Sequence, residues 1–109
     1  MLKNKKIFYI DIDGVICNNT YGDYKNAKPY YNNIKKINKL YNKGHNITIW
    51  TARGTILSQH INEIKHITIN QLIRWKVKYS DLIFGKPYYD YIIDDRCCNN
   101  LDEYVKKFC

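Results

Sequence analysis

Ile7-Phe-Tyr-Ile-Asp-Ile-Asp-Gly14 is the stretch that decides the fold. Four β-branched and aromatic residues, Ile7 to Ile10, read as a short strand of a parallel sheet, and the run then breaks into Asp11, Asp13 and Gly14. A strand that delivers carboxylates at its carboxyl end puts them on the edge of an α/β sheet where ligands bind.

Working outward, Gly14 to Ala27 carries Asn18, Asn19, Gly22, Asp23 and Asn26 and reads as a loop or small hairpin. Pro29 stands where a helix can start, and Ile34, Ile37, Leu40 and Tyr41 recur at helical spacing until Gly44 closes the helix. Asn46 to Thr51 alternates and is rich in Ile and Thr, giving a second strand. Thr55 to Tyr79 has a mostly helical pattern, with Ile64, Ile67, Ile69, Leu72, Ile73 and Trp75 available for one face. Leu82 to Phe84 reads as a third strand followed by Gly85-Lys86-Pro87, and Tyr91 to Ile93 as a fourth ending in Asp94-Asp95. A last helix is expected over about Leu101 to Phe108. Strands alternating with helices imply right-handed crossovers, hence an α/β fold with a short parallel sheet flanked by helices.

With 109 residues, 45% hydrophobic and 15% aromatic, the whole chain, residues 1–109, is expected to form one domain around its own core. No apolar run approaches the roughly 20 residues of a membrane span, and Met-Leu-Lys-Asn-Lys-Lys leads directly into strand-like sequence, so a cytoplasmic protein without a membrane partner is expected. Cys17, Cys97, Cys98 and Cys109 lack C-x-x-C spacing and read as reduced thiols. The net charge of +8 admits nucleic acid as a partner. Yet 15 of the 18 basic residues are Lys and only 3 are Arg, which weakens that reading, because bidentate phosphate contacts favour Arg.

Chemistry-bearing residues follow each strand: Asp11 and Asp13 the first, Thr51 the second, Lys86 the third, Asp94 and Asp95 the fourth. Brought to one edge, four carboxylates repel by a few kcal/mol per pair at about 4 Å in an effective dielectric near 20. A hard divalent cation relieves that repulsion, and Mg²⁺ bound by carboxylates and phosphate oxygens is the expected cofactor.

Taken in order, Ile10-Asp-Ile-Asp-Gly-Val15, Ile49-Trp-Thr51, Lys86 and Ile92-Ile-Asp-Asp95 resemble the four motifs of the haloacid dehalogenase superfamily, over nearly the whole chain. Ala27-Lys-Pro29, Trp50-Thr-Ala-Arg-Gly54 and Phe84-Gly-Lys-Pro-Tyr-Tyr-Asp90 resemble its small cap-less phosphatases associated with capsular polysaccharide biosynthesis. The resemblance implies a Rossmann-like domain without a cap and hydrolysis of a phosphomonoester, with Asp11 as the nucleophile that becomes an aspartyl-phosphate. It implies Asp13 as general acid and then base, Thr51 as a hydrogen-bond partner of a phosphoryl oxygen, and Lys86 as the neutralising cation. Mg²⁺ would be held by Asp11, Asp94, Asp95 and the backbone carbonyl of Asp13.

The expected substrate is a small phosphorylated metabolite such as a sugar phosphate, bound in an open site that a homo-oligomeric neighbour could enclose. The alternatives are a phosphatase of 3′ or 5′ nucleic-acid ends and a non-catalytic module that binds phosphate or nucleic acid. Arg53 is expected to contact substrate phosphate, to pair with an Asp, or to make a surface salt bridge, and Arg96 either to fasten the metal loop or to face water. His45, His60 and His66 are assigned no role. Tyr30, Tyr31, Tyr88 and Tyr89 are read as core residues before pocket residues, and Asp23 as a possible substrate contact.

Overall fold

The computed structural model describes residues 4–55, 60–97 and 101–109. It is an α/β structure built on a three-stranded parallel sheet with strand order β1-β2-β3: β1 Ile7–Ile10, β2 Asn46–Thr51 and β3 Asp81–Phe84. Helix α1 (Tyr31–Asn42) links the first pair, α2 (Ile61–Arg74) the second, and α3 (Leu101–Phe108) ends the chain.

Register fixes which side chains meet. Phe8 pairs with Ile47, Ile10 with Ile49, and Ile49 with Leu82, so all five project from one face. On that face they join Ile34, Ile37, Leu72, Trp75 and Val77 in one apolar cluster. Both crossovers advance in the same direction, and right-handed crossovers of that kind put their helices on the same side. The opposite face is accordingly bare at the β1 edge, with Ile7 69% and Tyr9 60% exposed. A parallel sheet is ordinarily covered on both faces, so this bareness is unusual.

Helix ends follow local chemistry. After α1, Gly44 adopts φ 96°, a left-handed conformation that glycine accepts without steric cost, and its N–H reaches Tyr41 O. The helical pattern expected over Thr55 to Tyr79 narrows to α2: residues 56–59 lie outside the described residues, and the helix stops at Arg74. Lys76 takes φ 58°, and the Asn38 side chain on α1 clamps the turn by donating to Lys76 O and accepting from Lys78 N, each at 2.8 Å.

The expected fourth strand, Tyr91–Ile93, is not part of the described sheet, and Tyr91 and Ile93 are exposed. Its physical reason is reach: only Pro87 to Asp90 separate it from Lys86, which still sits in line with β3 through its N–H to Thr51 O. Helix α3 packs through Tyr104 and Phe108 on the Tyr91 ring, and among the described residues its backbone does not come within 8 Å of another helix or strand. Residues 90–97 and 101–109 thus form an arm beyond the sheet, and the radius of gyration of 15.5 Å exceeds the roughly 13 Å of a compact chain this long. No helix among the described residues is long and apolar enough to cross a membrane.

Candidate active site

Past β1 the chain turns sharply: Val15 N and Ile16 N both donate to Ile12 O, Gly14 adopts φ 90°, and Gly14 N closes on Cys17 O. This turn buries Ile12 and Ile16 in the core and leaves Asp11 and Asp13, two residues apart, on the other side. The 14–29 segment folds back as a flap, held by Asn18 N to Lys28 O, Tyr30 N to Ile16 O and a 3-10 turn at Tyr24–Asn26.

Asp11, Asp13, Arg53 and Lys86 line one cleft of about 500 Å³ at the carboxyl edge of the sheet, walled by Tyr21, Tyr24, Tyr88 and Tyr89. That volume suits a small ligand. A cleft of about 640 Å³ beside α1, lined by Tyr31, Ile34, Trp75 and several Lys and Asn residues, contains no carboxylate and lies away from these groups.

The Lys86 ammonium lies 3.8 Å from Asp11 Oδ2 and is nearly buried, between the Trp50 and Tyr89 rings at 5.4 and 5.2 Å. Burial raises the pKa of Asp11; the Lys86 charge and the Ile12 N–H to Oδ1 (2.8 Å) oppose that rise, and Asp13 adds to it. The half-buried Asp11 carboxylate thus has a countercharge in place in the Lys86 ammonium.

Of the roles expected of Arg53, the structure shows the pairing with an Asp, made in the interior rather than as a surface salt bridge. Arg53 is 1% exposed, and its guanidinium grips Asp13 in a two-point fork, Nε to Oδ2 at 3.0 Å and Nη2 to Oδ1 at 2.9 Å. Its remaining donor, Nη1, reaches Thr68 Oγ1 and Gln71 Oε1 on α2 at 3.1 and 2.7 Å, and the Tyr24 ring stacks on it at 4.6 Å. Thr51, fully buried, accepts the Arg53 N–H on its hydroxyl at 3.1 Å and does not line the cleft. Its part here is to shape the loop that aims Arg53.

Sequence reasoning missed Cys17, Thr68 and Gln71. Cys17 is buried against Asp13 and Arg53, and its thiol is pushed up to about 12, first by burial and then by the Asp13 charge. Thr68 and Gln71 are polar residues on the α2 stripe that also carries Ile64 and Leu72, and that interruption of an apolar face was the available signal. Tyr88 and Tyr89 are exposed cleft walls rather than core, Tyr30 and Tyr31 are exposed as well, and Asp23 turns back to Asn26 at 2.7 Å. His45 accepts from Lys6 N at 3.0 Å, and His60 and His66 are exposed. Cys17, Cys97 and Cys109 are free thiols; Cys98 lies outside the described residues.

Asp94 and Asp95 are not at the cleft. They are exposed on the arm, where Asp94 caps its own turn by accepting Arg96 N at 2.8 Å, the main cause of its lowered pKa. Arg96 thus fastens this turn through its backbone, while its side chain is exposed. Among the described residues no three His, Cys, Asp or Glu side chains are grouped closely enough to hold a metal ion, so the expected Mg²⁺ ligand set is not assembled within one chain.

No family model matches this chain, and no curated protein pairs with it. Among solved structures, the crystal structure of a Vibrio cholerae protein known by a target designation is similar at 26% identity, with a TM-score of 0.73 over 93% of this chain and 94% of that one. The fold is therefore shared with an experimentally determined protein across nearly its full length.

Proposed function

We propose that this protein is a phosphomonoester hydrolase of the haloacid dehalogenase type, working through an aspartyl-phosphate on Asp11 in a Rossmann-like domain. The observation that carries the reading is the pairing of Asp11 with the Lys86 ammonium at 3.8 Å inside a cleft that also holds Asp13. The order of the sequence motifs supports it independently.

In the first step an Asp11 carboxylate oxygen attacks phosphorus as the bond to the leaving oxygen breaks, and Asp13 gives that oxygen a proton. In the second, Asp13 takes a proton from water as the water oxygen attacks phosphorus, releasing inorganic phosphate and restoring the Asp11 carboxylate. Lys86 balances charge on the nucleophile and the phosphoryl oxygens throughout. Arg53 acts as a positioning residue: its fork fixes the Asp13 carboxylate, and its bonds to α2 fix the fork.

A small phosphorylated metabolite such as a sugar phosphate is the proposed substrate class. The cleft is small, and its tyrosine walls offer flat faces and hydroxyls for a polyol ring. The +8 charge favours phosphorylated oligonucleotide ends as the second reading. Phosphate release from sugar phosphates, nucleotides and 3′- or 5′-phosphorylated oligonucleotides, with Mg²⁺ and with EDTA, tests both. The expected result is release from sugar phosphates that Asp11→Asn abolishes; release undiminished in Asp11→Asn would exclude the covalent route.

A further inference from the structure

We infer that the protein completes its site as an arm-exchanged dimer: the Tyr91–Asp95 segment and helix α3 of one copy dock on the β1 edge and bare sheet face of a second copy, bringing Asp94 and Asp95 to the partner's cleft. The part of this inference that concerns catalysis rests on the function proposed above; the exchange itself does not.

Reach excludes the arm from the same position on its own chain. For Asp94 to lie beside Asp11 in a parallel fourth strand, Tyr91 must stand level with Phe8. Phe8 is level with Ile47, and the register of β2 and β3 puts Ile47 level with Ser80, six residues below Lys86. Six residues of strand rise about 20 Å, and three strand spacings from β3 to a place beyond β1 add about 14 Å sideways, so the gap is roughly 24 Å. The five Cα steps from Lys86 to Tyr91 span at most about 18 Å. Sliding the arm two residues toward the cleft still leaves about 20 Å. An arm arriving from another molecule carries no such tether.

What the arm offers matches what the core lacks. The core presents β1 as an edge strand, a ready template for strand addition, together with exposed Ile7 and Tyr9 on a face that α1 and α2 do not cover. The arm presents a β-branched and aromatic segment, Tyr91–Ile93, followed by a helix whose Leu101, Val105 and Phe108 are 48–57% exposed. A strand laid beside β1 reverses the direction of travel across the sheet, and the chain leaving it passes to the bare face, where α3 would shield Ile7 and Tyr9. In the same placement Asp94 and Asp95 join Asp11 and Asp13, supplying a carboxylate group for a divalent cation that the described residues of one chain do not gather.

The test uses the full chain. Sedimentation equilibrium is expected to give twice the 13.1 kDa chain mass. The variants Asp11→Asn and Asp94→Asn/Asp95→Asn are each expected to lose Mg²⁺ binding by titration calorimetry and phosphate release. Unfolded together in equal amounts and refolded, half the dimers are mixed and each holds one intact site, so both signals return to about a quarter of wild type. Recovery of Mg²⁺ binding without phosphate release from any substrate upholds the exchange and overturns the phosphatase reading. A monomer, or a dimer in which neither signal returns, overturns the exchange.

Discussion

Arg53→Ala should be the most damaging single substitution in this protein, although Arg53 contacts no substrate in the proposed reaction. The side chain is 1% exposed and holds three parts of the fold at once: the Asp13 turn, the loop after β2 and the middle of α2. Removing it leaves the Asp13 carboxylate, itself only 18% exposed, without its countercharge, and Gln71 Oε1 without its donor. Breaking a buried ion pair from one side costs about 3–5 kcal/mol, a large part of the roughly 5–15 kcal/mol that stabilises a typical domain. At about 4–8 °C per kcal/mol for a domain near this size, melting should fall by at least about 12 °C. Arg53→Lys keeps the charge, but one ammonium cannot bridge Asp13 and α2 together, and a loss of about 2 kcal/mol is expected. Urea unfolding followed by tryptophan fluorescence reads the effect, since Trp75 is buried in the core. Adding Asp13→Asn to Arg53→Ala should cost little more, because the partner is already gone. An Arg53→Ala protein within about 1 kcal/mol of wild type would refute the idea that this network holds the site together.

Lys86→Met removes the strongest influence holding the Asp11 pKa down, so the acid limb of the rate profile should move to higher pH while the maximal rate falls; an unmoved limb would separate Lys86 from Asp11. Because the folded-state pKa of Asp11 lies above its ordinary value, the stability this group contributes is full below about pH 3.8 and is lost as pH rises through the folded value. Asp11→Asn should therefore melt above wild type at pH 7 while losing the proposed activity, and calorimetry showing a lower melting temperature would contradict the burial argument. Cys97 and Cys109 should react readily with a maleimide at pH 8 while Cys17, buried and pushed up to about 12, reacts only on unfolding; comparable rates, followed by peptide mass spectrometry, would deny the packing of Cys17 against Arg53.

Local sequence pattern specified most of the elements and put Asp11 and Lys86 at strand ends. Three of the four expected strands, α1 and α3 lie where their patterns put them, because each is specified by local periodicity and by breakers such as Gly44. Asp11 and Lys86 were legible for the same reason: each follows a strand directly, and parallel strands bring their carboxyl ends to one edge. Tertiary structure alone decided the rest. Arg53 reads in sequence as a phosphate contact, a partner of an Asp or a surface ion pair, and only folding brings Thr68 and Gln71, 15 and 18 residues away, to its guanidinium. Tyr91–Ile93 has the pattern of a strand, yet a strand also needs an edge within reach. Four linking residues cannot carry the chain from the top of β3 to the foot of β1, so chain length and sheet geometry overrule local preference there, and Asp94 and Asp95 go with the arm.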